Sequence, residues 1–474
     1  MIVFAFLLMV LIGLTQRSIH RNRSISPLLA ISLAIYILFW NIFPFLYSTF
    51  MSDRTNSIIS NPTYKKVILI QLVSVFFILM LLNILAKFRF KPKRLPCPQR
   101  KDTNANMILV LLVIALIFLL FTHIHSINTI GFTFLERIRY TVSDINKENA
   151  VGAFLFALNS YSIPFAVACI FSGIRTLRDN QWIMRLSIAI ITIHIGFMII
   201  FGMRAFIFMP IVLIGIYWKV YTLKLGRVAK FALAALMFTF LLVAPFLSMS
   251  LGTIRAMESY STKDILVTSP SELFSTVGEY SLKALDDIYA KLNSFEHGTT
   301  LLEIEGTSRV GMSLITSALT SPIPRILYPA KPVPFSSDGE YSGVPYYLVT
   351  SLRGFVLPGN VVPIPPSTIA LWELGYIGLF LMIVFNVVNL LFINVFMKSE
   401  LLFYRTMGFF MLSMPTFEFL LAPTGFIIKE GLRILVLILL VKLLFVIVRP
   451  KRKVLGGLRN LNASQMPFTG RTLR

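Results

Sequence analysis

The sequence predicts an all-α polytopic membrane protein with about eleven transmembrane helices, within a range of ten to twelve, and one large extracytoplasmic loop. Of its 474 residues, 56% are apolar and only 14% are charged, and the mean hydropathy is +0.78. Apolar runs long enough to cross a bilayer recur along the chain. The 44 Lys and Arg residues are concentrated in alternate loops between those runs, which is typical of polytopic membrane proteins.

Eight spans are predicted before the large loop and three after it. The basic residues Arg185 and Lys219 flank a run too long for one span, so that run is divided into a tight hairpin. The predicted spans are Met1–Leu14, Leu28–Tyr47, Val67–Ala86, Met107–Thr122, Gly152–Ile174, Leu186–Phe201, Ala205–Trp218, Phe231–Ser250, Thr368–Met397, Leu401–Leu421 and Leu432–Val448.

The loops predicted on the cytoplasmic side carry a net charge equal to the +23 of the whole chain. The positive-inside rule therefore explains the basic composition, and no nucleic-acid partner is required. The sequence divides into spans 1–8 at 1–250, the outer loop at 251–367, spans 9–11 at 368–448 and a basic cytoplasmic tail at 449–474.

The loop from Leu251 to Ser367 is long, polar and rich in proline. Apolar residues recur every three to four positions over Ser271–Phe295, which predicts an amphipathic helix that lies on the bilayer surface or across the mouth of the bundle. A second short helix is expected at Thr307–Leu319. The prolines of Pro322–Pro334 exclude helix and predict a stiff strap that carries Arg325 and Lys331.

Four features stand out between the hairpin and about Phe380. They are Gly202-x-Arg204 at the hairpin tip, Arg255 beyond a span, Arg309 before Pro324-Arg325-x-x-Tyr328-Pro329-x-Lys331-Pro332, and Ser367-x-x-x-Leu371-x-Glu373-x-Gly375-x-x-Gly378. Together they resemble the O-antigen polymerase (Wzy) family.

This resemblance implies a glycosyltransferase of the multi-span type C (GT-C) architecture in the bacterial inner membrane, with its active site facing the periplasm. Such proteins join glycan repeat units carried on undecaprenyl pyrophosphate. A hydroxyl of one lipid-linked unit attacks the anomeric carbon of another with inversion, and the pyrophosphate leaves, so no nucleotide is needed.

The main task of such a site is to bind the pyrophosphate of the donor. The planar guanidinium of arginine makes bidentate, charge-assisted hydrogen bonds to phosphate and stays protonated near a bilayer. In the alternative interpretation, Arg204 contacts lipid headgroups and Arg255 and Arg309 are ordinary loop residues. Arg325 and Lys331 would then anchor the strap through salt bridges to Asp338 or Glu340. The expected pyrophosphate-binding residues are Arg204, Arg255, Arg309, Arg325 and Lys331.

Two residues are candidate catalytic bases. Glu373 is a carboxylate about one and a half turns inside an apolar helix, where it needs either a partner or a cavity. Its alternative is a structural pairing with an arginine. His297 is the only histidine of the long loop and can accept a hydroxyl proton near neutral pH. Its alternative is a solvated turn residue before Gly298.

No metal or other cofactor is expected. His123-x-His125 offers two ligands without a nearby carboxylate, which is weak support for a metal site. Cys97 and Cys169 provide no disulfide framework and no C-x-x-C site.

Two other functions remain open. A ligase that transfers a finished glycan to another lipid needs nearly the same arginines. A flippase or other carrier of lipid-linked oligosaccharide is expected to place ionisable groups near the midplane, beside broken helices in two related halves. The predicted partners are undecaprenyl-pyrophosphate-linked glycans and membrane lipids, with a chain-length regulator and a flippase as further partners of the polymerase.

Overall fold

A computed structural model describes the chain in separate stretches. These are residues 2–50, 60–88, 101–130, 162–170, 172, 181–200, 293–303, 364–399 and 402–413, with isolated positions at 323, 328, 427, 431, 432, 435, 439 and 443.

The described stretches are helical and contain no strand. The helices are α1 (Ile2–Arg21), α2 (Pro27–Ile37), α3 (Phe43–Phe50), α4 (Pro62–Leu85), α5 (Lys101–Ile130), α6 (Gln181–Ile200), α7 (Ser294–Glu303), α8 (Pro366–Met397) and α9 (Leu402–Ser413), with a π-helical segment at Leu38–Ile42 between α2 and α3.

Five stretches of the described helices are long and apolar enough to cross a membrane. The chain is therefore a helical membrane protein, as predicted. These spans are Val3–Arg21, Pro27–Leu46, Pro62–Leu85, Met107–His125 and Pro366–Met397.

The other predicted spans are covered only in part. The helical stretch 162–170 and the helices α6 and α9 coincide with parts of three of them. Ala205–Trp218 and Phe231–Ser250 lie outside the described residues, as does all of Leu432–Val448 except isolated positions. The total of eleven spans and the GT-C arrangement thus stay predictions, as do the boundaries at 250, 367 and 448. Helix α1 continues to Arg21, seven residues beyond the predicted end of its span at Leu14.

Helix α4 lies at the centre of the described bundle, in contact with α1, α7 and α8. Pro62 occupies its first turn, and the Asn61 side chain caps it by accepting hydrogen bonds from the amides of Thr63 and Tyr64, a favourable start for a helix. Apolar side chains then line its buried faces. Those at 1% exposure or less are Val67, Leu72, Val75, Ile78, Leu79 and Leu82.

Helix α8 is broken, whereas the sequence predicted one continuous span over Thr368–Met397. Leu374 and Gly375 have non-helical backbone angles, and Gly375 has φ 62° and ψ −147°, a conformation open essentially only to glycine. Beyond the break, a Cβ on Gly378 would overlap the carbonyl oxygen of Ala370. In a straight helix these residues would lie about 12 Å apart, so segment 376–397 bends sharply back past the half-helix 366–373.

Hydrogen bonds join the helix ends at both faces of the bundle. At one face Lys398 Nζ donates to the Arg23 carbonyl at 2.9 Å, and Asn394 Nδ2 donates to the Ser24 carbonyl at 2.9 Å. At the other face Asn61 Nδ2 donates to Glu303 Oε1 at 2.8 Å. The charge pattern predicted that Arg23, Ser24, Asn394 and Lys398 lie near the cytoplasmic face, and that Asn61 and Glu303 lie near the extracytoplasmic face. Each hydrogen bond therefore joins helix ends that were predicted to lie on the same side.

Candidate functional site

Helix α7 is a described segment of the long loop that was predicted to be extracytoplasmic, and it packs against α3, α4 and α8. The sequence predicted a helix ending at Phe295, with a solvated turn before Gly298 as the alternative role of His297. That boundary is wrong, because Asn293 is non-helical and a helix begins at Ser294. The remainder of Ser271–Phe295 and all of Thr307–Leu319 lie outside the described residues, and of the proline strap only Ile323 and Tyr328 are described.

His297 is fully buried in α7, at 0% exposure. Its backbone amide donates to the Asn293 carbonyl at 3.3 Å, in the first turn of the helix. The alternative of a solvated turn residue is therefore wrong. Phe295 and Leu301 are also at 0% exposure, which shows that α7 is inserted into the bundle rather than laid on its surface.

Gly298 fixes how closely α7 approaches the start of α8. A Cβ at this position would lie 3.0 Å from Pro365 Cδ, 3.0 Å from Val67 Cγ1 and 3.2 Å from Thr368 Oγ1. Those distances are shorter than ordinary van der Waals contacts. Glycine at 298 thus lets α7 pack directly on the half-helix 366–373 and on α4.

Glu373 ends that half-helix, immediately before the break, and it is 6% exposed. No described residue forms an ion pair or hydrogen bond with its carboxyl group. The structural pairing with an arginine is therefore not seen among the described residues. Because α7 packs on the half-helix, the two predicted bases, His297 and Glu373, are buried on adjoining elements.

A network of uncharged polar side chains supports the start of α8. Gln71 Nε2 donates to Asn41 Oδ1 at 3.1 Å, and Gln71 Oε1 accepts from both the amide and the hydroxyl of Ser367. All three side chains are at most 2% exposed. Gln71 thereby caps α8 and ties it to the π-helical segment that contains Asn41. Gln71 and Asn41 were missed, although each is a side-chain amide within a predicted apolar span, a recognised signal for a functional or helix-joining role.

The predicted pyrophosphate-binding residues are not among the described residues. Their grouping around an anion therefore stays a prediction. They are Arg204, Arg255, Arg309, Arg325 and Lys331.

Two histidines from different helices meet elsewhere in the bundle. The ring centroids of His123 on α5 and His194 on α6 are 6.2 Å apart, and the residues are 3% and 4% exposed. Sequence reasoning had considered His123 only with His125, because the packing of α5 on α6 cannot be read from spacing. Within the described stretches no group of three or more His, Cys, Asp or Glu residues could hold a metal ion.

Comparison of the chain with protein-family models, with curated proteins and with solved structures found no match.

Proposed function

We propose that this protein polymerises oligosaccharide repeat units carried on undecaprenyl pyrophosphate, by inverting, metal-independent glycosyl transfer at the periplasmic face of the bacterial inner membrane. The product is an O-antigen or a related surface polysaccharide. The proposal rests on the sequence resemblance and on the physical arguments that follow.

One structural observation supports it above the others. A helix of the long loop packs into the bundle and carries a buried imidazole, His297, and the half-helix on which it packs ends at the buried carboxyl group of Glu373. Buried ionisable groups in a membrane protein are costly and are usually functional. Two such groups on adjoining helices fit a catalytic role better than a purely structural one.

In the proposed reaction, an acceptor hydroxyl attacks the anomeric carbon of the donor glycan. A carbon–oxygen glycosidic bond forms, and the bond from that carbon to the pyrophosphate oxygen breaks. The hydroxyl proton passes to Glu373 or His297, and the electron pair of the broken bond leaves with undecaprenyl pyrophosphate. General-base help of this kind contributes about 10²- to 10⁴-fold to a rate.

The arginines of the outer segments would neutralise charge on the departing pyrophosphate. Arg→Lys at Arg204 or Arg309 keeps the charge but removes the bidentate fork. Each substitution should therefore reduce polymer formation strongly at matched expression, whereas Arg353→Ala, later in the loop, should have less effect. Normal polymer formation by both Lys variants would show that these arginines are not pyrophosphate ligands.

A carrier of lipid-linked oligosaccharide is the second candidate, and the break in α8 favours it. Transporters commonly bind their cargo beside discontinuous helices, and Glu373 directly precedes such a break. A ligase needs the same chemistry as the polymerase and differs in its acceptor.

Deletion of the gene in the source organism separates the three functions. Loss of a polymerase leaves single repeat units on the final acceptor, loss of a ligase leaves long chains on undecaprenyl pyrophosphate, and loss of a carrier leaves single lipid-linked units at the cytoplasmic face. The proposal predicts the first result, and either of the others would overturn it.

A further inference from the structure

The contact between α7 and the half-helix 366–373 contains polar atoms without partners. Ser294 Oγ, Thr368 Oγ1 and Trp372 Nε1 make no hydrogen bond to any described residue. Their residues are 1%, 1% and 5% exposed, respectively. A buried donor left unpaired costs about 1–3 kcal/mol, so three of them in one contact call for an explanation.

Of these residues, Thr368 lies at the contact itself, and helical spacing places the other two on the contacting faces. Thr368 and Trp372 are four residues apart on the half-helix, and Ser294 and Gly298 are four residues apart on α7, so each pair shares a helix face. Gly298 abuts Thr368 directly, which places the two faces against each other. Glu373 follows Trp372 in the chain and ends the same half-helix.

The side chains of these two elements favour an uncharged ligand. Neither α7 nor the half-helix contains Lys or Arg, the residues that usually bind phosphate. The first amide of α8, which could otherwise attract an anion, already donates to Gln71 Oε1 at 3.4 Å. Two hydroxyl groups and an indole N–H suit a neutral molecule with many hydroxyl and ether oxygens.

Helix α7 covers these donors and is fastened at its C-terminal end by an exposed hydrogen bond, from Asn61 Nδ2 to Glu303 Oε1. An exposed hydrogen bond is worth only about 0.5–1.5 kcal/mol. Opening at this end would break this hydrogen bond and expose Leu301, and it would let a ligand satisfy donors that the closed contact leaves unpaired.

We infer that α7 is a movable cover over a binding site for sugar hydroxyls, formed by Ser294, Thr368 and Trp372 beside Glu373. The assignment to a sugar rests on the proposed function, in which this site holds the acceptor unit. In its closed position α7 keeps water away from Glu373, which would limit hydrolysis of the donor until an acceptor binds.

The test measures access to Thr368 in the purified full-length protein. Thr368→Cys is introduced after Cys97 and Cys169 are replaced by serine, and its labelling by a small maleimide is timed. Glu303→Ala removes the acceptor of the hydrogen bond from Asn61, whereas Glu303→Gln keeps an acceptor oxygen. If α7 is a movable cover, Thr368→Cys should be labelled about two- to tenfold faster in the Glu303→Ala variant than in the Glu303→Gln variant. Equal labelling rates in the two Glu303 variants would overturn the inference that α7 is a movable cover.

The ligand is tested with two probes. A phosphate-free repeat-unit oligosaccharide from the source organism should slow the labelling of Thr368→Cys, and inorganic pyrophosphate should not. A cysteine at Asn389, a buried residue about 20 Å along α8 from the break, should respond to neither probe. Protection by pyrophosphate alone, or by neither probe, would overturn the sugar assignment.

Ser294→Cys is the second reporter if Thr368→Cys does not fold. The measurement needs no turnover, so it can fail independently of the proposed function. Polymer formation without saccharide protection would contradict the sugar site alone. Protection without polymer formation would contradict the polymerase alone.

Discussion

Gln71 joins three elements of the bundle through one side chain. Its amide nitrogen bonds to Asn41 of the π-helical segment, and its amide oxygen caps α8 at Ser367. In an apolar span such a residue stabilises helix association, with measured values of about 0.6 kcal/mol and at most about 1.7 kcal/mol per contact. Its contribution to function is to hold the half-helix that carries Glu373.

Gln71→Leu should lower the free energy of unfolding by about 1–3 kcal/mol, because it leaves the oxygen of Asn41 and the donors of Ser367 buried without partners. Equilibrium unfolding of the purified protein in mixed micelles measures this change. Ser74→Ala is the matched control, since Ser74 Oγ bonds only to the Ile70 carbonyl of its own helix. Equal effects of the two substitutions on the free energy of unfolding would mean that the contacts of Gln71 with Asn41 and Ser367 do not stabilise the protein.

At the residue level the sequence predicted part of this region. Glu373 stood out because a carboxylate in an apolar helix is expensive. The burial of His297 was not predictable, because its surroundings come from α3, α4 and α8, which are distant in sequence. The unpaired donors of Ser294, Thr368 and Trp372 could not be predicted for the same reason, because whether such a residue has a hydrogen-bond partner depends on its neighbours in the fold.

At the scale of elements, the two interrupted helices define the site. The π-helical segment at Leu38–Ile42 contains the fully buried Asn41, and the break in α8 follows Glu373. Such interruptions inside helices are frequent at functional sites. Hydropathy located both spans, but it could not locate the break in α8, because a glycine within an apolar pattern is also compatible with a continuous helix.

Helix α7 was missed for a related reason. Its ten residues include Gly298 and two threonines, which have weak helix propensity. Tertiary burial of Phe295 and Leu301 overrides that propensity.

Gly378→Ala should strongly reduce the yield and thermal stability of the protein, because the new methyl group would overlap the Ala370 carbonyl oxygen across the bend. Thermal unfolding of the purified variants measures the effect. Gly13→Ala in α1 is the control, since a Cβ there meets nothing within 4 Å and alanine favours the helix by about 1 kcal/mol. If Gly378→Ala and Gly13→Ala had the same effect on yield and thermal stability, the described geometry of the bend would be contradicted.

At the scale of the whole molecule, the described helices form a bundle in which different contacts join the helix ends at the two faces. The charge pattern alone assigned the sides, and the contacts of Lys398 with Arg23 and of Asn61 with Glu303 respect that assignment. The grouping of the five predicted cations could not be derived in the same way, because their separation in space depends on loop conformation rather than on periodicity.

The topology is tested by cysteines at Ser336 in the long loop and at Ser464 in the tail. A membrane-impermeant thiol reagent applied to intact cells, with the outer membrane permeabilised, should label the first and not the second. Both should react after the inner membrane is lysed, which controls for burial. Labelling of both in intact cells, or of Ser464 alone, would place the loop and the tail differently from the proposal.

Reconstitution of the purified protein with one defined undecaprenyl-pyrophosphate-linked repeat unit tests the central claim most directly. In the presence of EDTA, the wild-type protein should convert the unit into a ladder of longer lipid-linked chains. Glu373→Gln should reduce this rate by about 10²- to 10⁴-fold if Glu373 is the base, while the variant remains folded. Folded wild-type protein that leaves the unit unextended, or that extends it only when a divalent metal is restored, would contradict a metal-independent polymerase.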